Sequence, residues 1–191
     1  MSMITLRTVD EYFQQMFDLA RRVHVALTQA GVEYRIVGGV AVFLHINEID
    51  PFAARLTPDL DVAIERNDLE KVAAIAEPHG FRYADSAWIT AGQSRGAIHF
   101  LLIDEKARPN HLEPVPGFSP PVATKDGILL APVADLVRMK LTSFRMKDRA
   151  HIVDMDLVGL ITPEIEQELP EALRARLEQV RKEEPQSTGA E

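Results

Sequence analysis

Residues 59–62, Asp-Leu-Asp-Val, constrain this chain more than any other segment. Extended backbone sends successive side chains to opposite faces. A strand here therefore puts Asp59, Asp61 and Ala63 on one face and Leu60, Val62 and Ile64 on the other. The apolar row suits a core. The two carboxylates then stand roughly 6–7 Å apart along the strand, at about 3.3 Å per residue. Their side chains can converge on one divalent ion or a pair of ions.

The rest of the chain supplies a sheet for that strand. Met16, Phe17, Ala20, Val23 and Leu27 recur at helical spacing, which predicts a helix over residues 9–30 ending at Gly31. Tyr34–Val37 is a short apolar run ending in Gly38-Gly39, a strand-into-turn signal, and residues 40–45 open a second helix. Residues 47–58 read as a loop, 68–79 as a helix, and 81–84 and 88–90 as short extended pieces. Residues 98–104 form the clearest strand. The proline-rich connection over 109–121 is unsuited to a central strand. Helices are expected over 132–146, 148–160 and 163–182, and the last residues should be disordered. This order gives an α/β or α+β domain on one sheet with a helical C-terminal part.

Composition narrows the setting. The chain has 191 residues, 46% apolar, enough for an ordinary core. No run reaches eighteen uncharged apolar residues, and the N-terminus has no signal-peptide layout, so a cytoplasmic protein is expected. Cysteine is absent, which excludes disulfides and thiolate metal sites. The formal net charge of −8 argues against a broad nonspecific grip on nucleic acid, which needs a basic surface. A local basic pocket remains compatible with it.

Oxygen-rich pairs such as Asp59 and Asp61 suit magnesium, which keeps waters and takes substrate phosphates as further ligands. Gly38-Gly39, between a strand and a helix, lets backbone N–H groups approach a phosphate, and a helix N-terminus favours an anion. The pair lacks the third glycine of a dinucleotide fingerprint and the lysine of a P-loop.

Together, Val37-Gly38-Gly39-Val40-Ala41 and Arg55-x-Thr57-x-Asp59-Leu60-Asp61-Val62 resemble the nucleotidyltransferase superfamily, and look closest to its minimal bacterial and AbiE-type toxin members. The resemblance covers roughly residues 10–160. It implies a nucleotidyltransferase-type mixed sheet flanked by helices: an α/β core over 1–130, C-terminal helices over 131–182 packed on it, and a tail over 183–191. It implies transfer of a nucleoside monophosphate from a nucleoside triphosphate to an acceptor, with Mg2+ or Mn2+ at Asp59 and Asp61. It places Gly38, Gly39, Arg55 and Thr57 on the nucleotide side. The resemblance implies tRNA as acceptor in the toxin branch and a small molecule or a protein side chain in others, and a toxin–antitoxin setting with a cognate partner or a homo-oligomer is compatible with it. The family commonly adds a third carboxylate on a neighbouring strand. Here the matching strand is residues 98–104, and the side chain facing the site is His99, while Asp104 falls on the other face. His99 is a candidate base or ligand, or an ordinary hydrogen-bonded histidine.

Wound at about 100° per residue, Val133, Leu136, Val137, Leu141 and Phe144 form one apolar arc. Lys140 falls near its centre, and an ammonium there requires a partner. A triphosphate or the aspartate pair would supply one. Downstream, Asp154, with Asp156 as rival, is the expected acid that orders Lys140 or the histidines. The C-terminal helix reads as a solvated or partner-facing surface. Three functions follow, the first two being magnesium-dependent nucleotidyl transfer and a degenerate relative that binds a nucleotide or partner without catalysis. A metal-dependent phosphohydrolase is the third.

Overall fold

The computed structural model describes residues 6–51, 59–84, 87–90 and 97–183. Arg55, Thr57 and the expected tail beyond residue 183 lie outside the described residues.

Helix α1 (Leu6–Gln29) buries Met16, Ala20, Val23 and Leu27, the single stripe expected from their spacing. It stops at Gly31, whose φ of +64° suits a residue without a Cβ. There the Val32 N–H donates back to the Leu27 carbonyl at 2.9 Å. Strand β1 (Tyr34–Val37) is buried at all four positions, so both faces of the sheet are covered at its centre. It runs directly into helix α2 (Gly38–Asn47), and both glycines belong to the first turn of that helix.

Strand β2 (Leu60–Ile64) pairs antiparallel with β1, with Asp61 opposite Val37. After helix α3 (Leu69–Ile75) come β3 (Phe81–Ala84), β4 (Ala87–Thr90) and β5 (Ala97–Leu102). Trp88 on β4 stacks on Phe81, meets Phe100 edge-on and donates its indole N–H to the Val72 carbonyl at 3.1 Å. These contacts tie α3 and three strands into one apolar end. Strand β5 runs parallel to β2, with His99 opposite Asp61. Two-residue strands β6 (Val122–Ala123) and β7 (Leu129–Leu130) complete a mixed sheet in the order β3-β4-β5-β2-β1-β7-β6. The sequence pattern did not foretell β6 and β7: two residues are too short to show a period.

The chain then turns helical: α4 (Val133–Ser143), α5 (Met146–Leu157), α6 (Pro163–Glu168) and α7 (Glu171–Glu183). Helices α4 and α5 pack on α2, and α7 packs on both. Two expectations are corrected here. The single helix over 163–182 is two, broken at Leu169-Pro170. Proline disfavours helical backbone in the residue before it, and Leu169 is extended, at φ −67° and ψ 136°. The last helix is also not a purely solvated surface, because Leu173, Leu177 and Val180 are buried. No helix among the described residues is long and apolar enough to cross a membrane.

Candidate active site

The pairing of β1, β2 and β5 builds the site. Leu60, Val62 and Ile64 are fully buried on one face of β2, leaving Asp59 and Asp61 on the other. Both aspartates line a cleft of about 470 Å3 whose walls include Gly38, Gly39, His99, Lys140 and Asp148. Gly38 takes φ +71°, and a Cβ there would stand 2.1 Å from Asp61 Oδ2. Glycine is therefore required both by backbone conformation and by the approach of the carboxylate. The first turn of α2, which has no side-chain N-cap, lies against the β1 side of Asp61. Helix N-termini carry free N–H groups and a partial positive charge, so this turn suits an anion.

On the opposite side of Asp61, its Oδ1 is 3.5 Å from His99 Nδ1, an ion-pair separation. Oδ2 of Asp61 thus lies against the Gly38 turn, and Oδ1 faces the imidazole. Hydrogen bonding to Asp61 raises the His99 pKa above its usual value, while desolvation and Lys147 pull it down. His99 is nearly half exposed and free to meet a substrate.

Lys140 is buried, as its place in the apolar arc of α4 demands, and its ammonium reaches Asp148 Oδ1 at 3.2 Å. Asp148 has a side chain 1% exposed and is the hub of this wall. It also accepts from Ser143 Oγ at 2.6 Å, and from Arg145 Nε at 2.7 Å, Nη2 at 3.2 Å and backbone N at 3.2 Å. Burial pushes the Asp148 carboxyl up, but the hydrogen bonds from Arg145 and Ser143 and the Lys140 charge outweigh it and hold the group well below the usual carboxylate range. Burial lowers the Lys140 pKa, opposed by Asp148 and then by Asp61. Asp61 therefore lies within electrostatic reach of Lys140 as well.

The acids expected to order Lys140 or the histidines are Asp154 and Asp156. Asp154 is buried on α5 and does not line the cleft, and Asp156 is held by Arg181 at 2.8 Å. Asp148 is the acid that holds Lys140. Its signal was present in the sequence: it is an acid at the third position of a helix, where a carboxylate can accept the N-cap backbone N–H. Sequence reasoning also missed Arg145, Arg108 and His111, which line the cleft. Arg108 and His111 sit in an irregular segment with no periodicity to expose them. Asp104 takes φ +59° and points away from the β2 pair, against Gly117.

No three His, Asp or Glu side chains among the described residues converge as a preformed metal cage. Two carboxylates open to a cleft fit magnesium or manganese, ions that complete their coordination with water and substrate oxygens. They fit zinc poorly, since it favours closed sets of nitrogen and sulfur ligands.

No protein-family model and no curated protein matches the chain. Among solved structures, a crystal structure of ANT(2'')-Ia in complex with adenylyl-2''-tobramycin is similar over 86% of this chain and 98% of that one, at 14% identity and a TM-score of 0.50. A solution structure of the antibiotic-resistance factor ANT(2'')-Ia is similar over 88% of this chain and 84% of that one, at 13% identity and a TM-score of 0.44. The Megavirus polyadenylate synthase matches over 88% of this chain and 34% of its own length, at 13% identity and a TM-score of 0.47. The first of these likenesses establishes the fold, which is that of the nucleotidyltransferases.

Proposed function

We propose that this chain of nucleotidyltransferase fold moves a nucleoside monophosphate from a nucleoside triphosphate to an acceptor. The observation that carries the reading is the placement of Asp61 between a glycine-opened helix N-terminus and His99, in a cleft that also receives Asp59 and Lys140. The triphosphate lies along the α2 turn, held by the Gly38 and Gly39 backbone and by Lys140. Asp59 and Asp61 hold Mg2+ or Mn2+, which when bound neutralises the phosphates and the leaving pyrophosphate. An acceptor oxygen attacks the α-phosphorus, the bond to the β-phosphate bridging oxygen breaks, and pyrophosphate leaves. The acceptor proton passes to the ring nitrogen of His99 that does not face Asp61. His99 thereby stands where a third carboxylate is usual for this fold. Arg55 and Thr57 belong to the same motif as Asp59 and Asp61, and we assign them to the nucleotide side. Asp154, buried on α5, is kept on the nucleotide side as part of the proposal, and Asp148 orders Lys140.

Binding of a nucleoside triphosphate with magnesium, measured by calorimetry, tests the reading. Asp59→Ala with Asp61→Ala should abolish that binding, and unchanged tight binding would sink the assignment.

The exchange of a carboxylate for His99 also favours a second reading, a degenerate relative that binds a nucleotide or a partner protein. Transfer from an α-labelled triphosphate separates the two. His99→Ala should retain nucleotide binding and lose transfer by roughly 10²-fold or more, the usual worth of a positioned base. Absence of any transfer by the wild-type protein to RNA, protein or small acceptors selects the degenerate reading. A cytoplasmic toxin–antitoxin role rests on the motif alone.

A further inference from the structure

The cleft divides about Asp61. On the β1 side stands the α2 turn. On the β5 side stands His99, and the segment that follows β5 walls the cleft with Arg108 and His111. That segment is closed at its base. Ile103 bridges to Val115, Asp104 N donates to the Val115 carbonyl at 2.9 Å, and Val115 N donates to the Glu105 carbonyl at 2.9 Å. Arg66 on the neighbouring turn binds Glu105, and Glu113 lies 3.6 Å from Arg138 of α4. The loop is thus a braced wall that turns Arg108 and His111 to the cleft.

Lys147, at the start of α5, joins this wall and lies within electrostatic reach of His99. Arg108 and Lys147 have no ion-pair partner among the described residues, and both are exposed. The nearest buried acid, Asp148, is already saturated by Lys140, Ser143 and Arg145. Glu113 is engaged by Arg138. In a chain of net charge −8, the β5 side of the cleft therefore keeps unneutralised positive charge beside the proposed base.

We propose that this β5-side wall is the acceptor subsite and that Arg108, His111 and Lys147 select an acceptor bearing phosphate. The proposal rests on the nucleotidyl-transfer reading and names the substrate class for it. Arginine offers a planar fork that matches phosphate oxygens, and lysine a compact charge. The same wall repels a polycationic amino sugar of the kind joined to the adenylyl group in the ANT(2'')-Ia complex.

The test uses the full chain saturated with magnesium and a non-hydrolysable triphosphate analogue, so that the α2 side is filled. Inorganic phosphate is titrated in while the His111 ring signals are followed by NMR. Saturable movement of those signals is expected, weakened tenfold or more in Arg108→Glu/Lys147→Glu, with analogue affinity changed less than twofold. A short single-stranded RNA that displaces phosphate at lower concentration assigns the phosphate to a polymer. Failure of the RNA to displace it assigns a small phosphorylated molecule. No saturable His111 response, loss of analogue binding in the double variant, or equal binding of tobramycin would overturn the proposal. If the analogue itself fails to bind, the nucleotidyl-transfer reading falls. The phosphate titration of the analogue-free protein then still reports on the wall.

Discussion

Gly38 combines φ +71° with a Cβ position 2.1 Å from Asp61 Oδ2. Alanine there meets two penalties at once. Left-handed backbone costs a residue with a Cβ about 1–2 kcal/mol, and the new methyl must displace the carboxylate. Gly38→Ala is expected to lower stability in urea unfolding by at least that amount and to weaken magnesium–triphosphate binding tenfold or more. Normal binding would show that Asp61 need not hold its position. Asp148 is the second residue at which a single change has a large effect. Removing it strands Lys140 in a site where its side chain is only 7% exposed. Breaking one side of a buried pair costs about 3–5 kcal/mol, whereas replacing both partners by apolar groups is often tolerated. Asp148→Ala should therefore destabilise more than Lys140→Met/Asp148→Leu does, although both should lose nucleotide binding. The reverse order in urea unfolding would show that Asp148 serves Arg145 and Ser143 rather than Lys140.

Helix α2 links the glycine turn at one end to His45 at the other. The His45 Nε2–H donates to the Ala131 carbonyl at 2.9 Å, tying α2 to the segment that leads into α4. Burial lowers the His45 pKa, and the hydrogen bond only partly restores it. The sign follows from the direction. The unfolded chain takes up a proton near the ordinary histidine value, while the folded chain resists until lower pH, so stability falls as pH drops below about 6.5. His45→Gln removes that loss. The stability gap between wild type and variant, measured in urea at pH 7.5 and pH 5, should shift toward the variant at pH 5. An unchanged gap would mean that His45 titrates normally. The elements on either side of this link differ in how far the sequence revealed them. Strands β2 and β5 were legible because their apolar alternation is imposed by the sheet core, and β1 because a short apolar run ends in a glycine pair. Lys140 was legible as a misfit on an apolar arc. Its partner Asp148 was not singled out because the chain reverses between α4 and α5 through Phe144, a non-glycine residue at φ +51°. That left-handed residue, braced by Arg149 and Arg176 over its ring, swings the start of α5 back to the cleft and brings Asp148 to Lys140. Nothing local in the sequence announces such a turn. The Leu169-Pro170 break carried its signal openly, in the proline itself.

At the scale of the whole molecule, α7 decides whether the cleft wall stands. Its Leu173, Leu177 and Val180 are buried against α4 and α5. At about 1.5–3 kcal/mol for each fully buried side chain, the three together contribute on the order of 5–9 kcal/mol, an upper figure comparable with the net stability of a typical domain. Arg176 adds a specific link. Its Nη1 donates to the Leu141 and Thr142 carbonyls at 2.7 and 2.8 Å. These are carbonyls of the last turn of α4, left without helical donors by the turn at Phe144. The same turn carries Lys140, Thr142 and Ser143, so α7 closes from behind the wall that faces the nucleotide. A chain ending at Thr162 is expected to lose cooperative urea unfolding. Arg176→Ala should stay folded, lose about 1–3 kcal/mol for its charged hydrogen bonds, and bind magnesium–triphosphate more weakly through a loosened Lys140. If the shortened chain unfolds with native cooperativity and stability, α7 is an appendage. That terminal helix would then be free for a partner, instead of being the outer layer of the site's own scaffold.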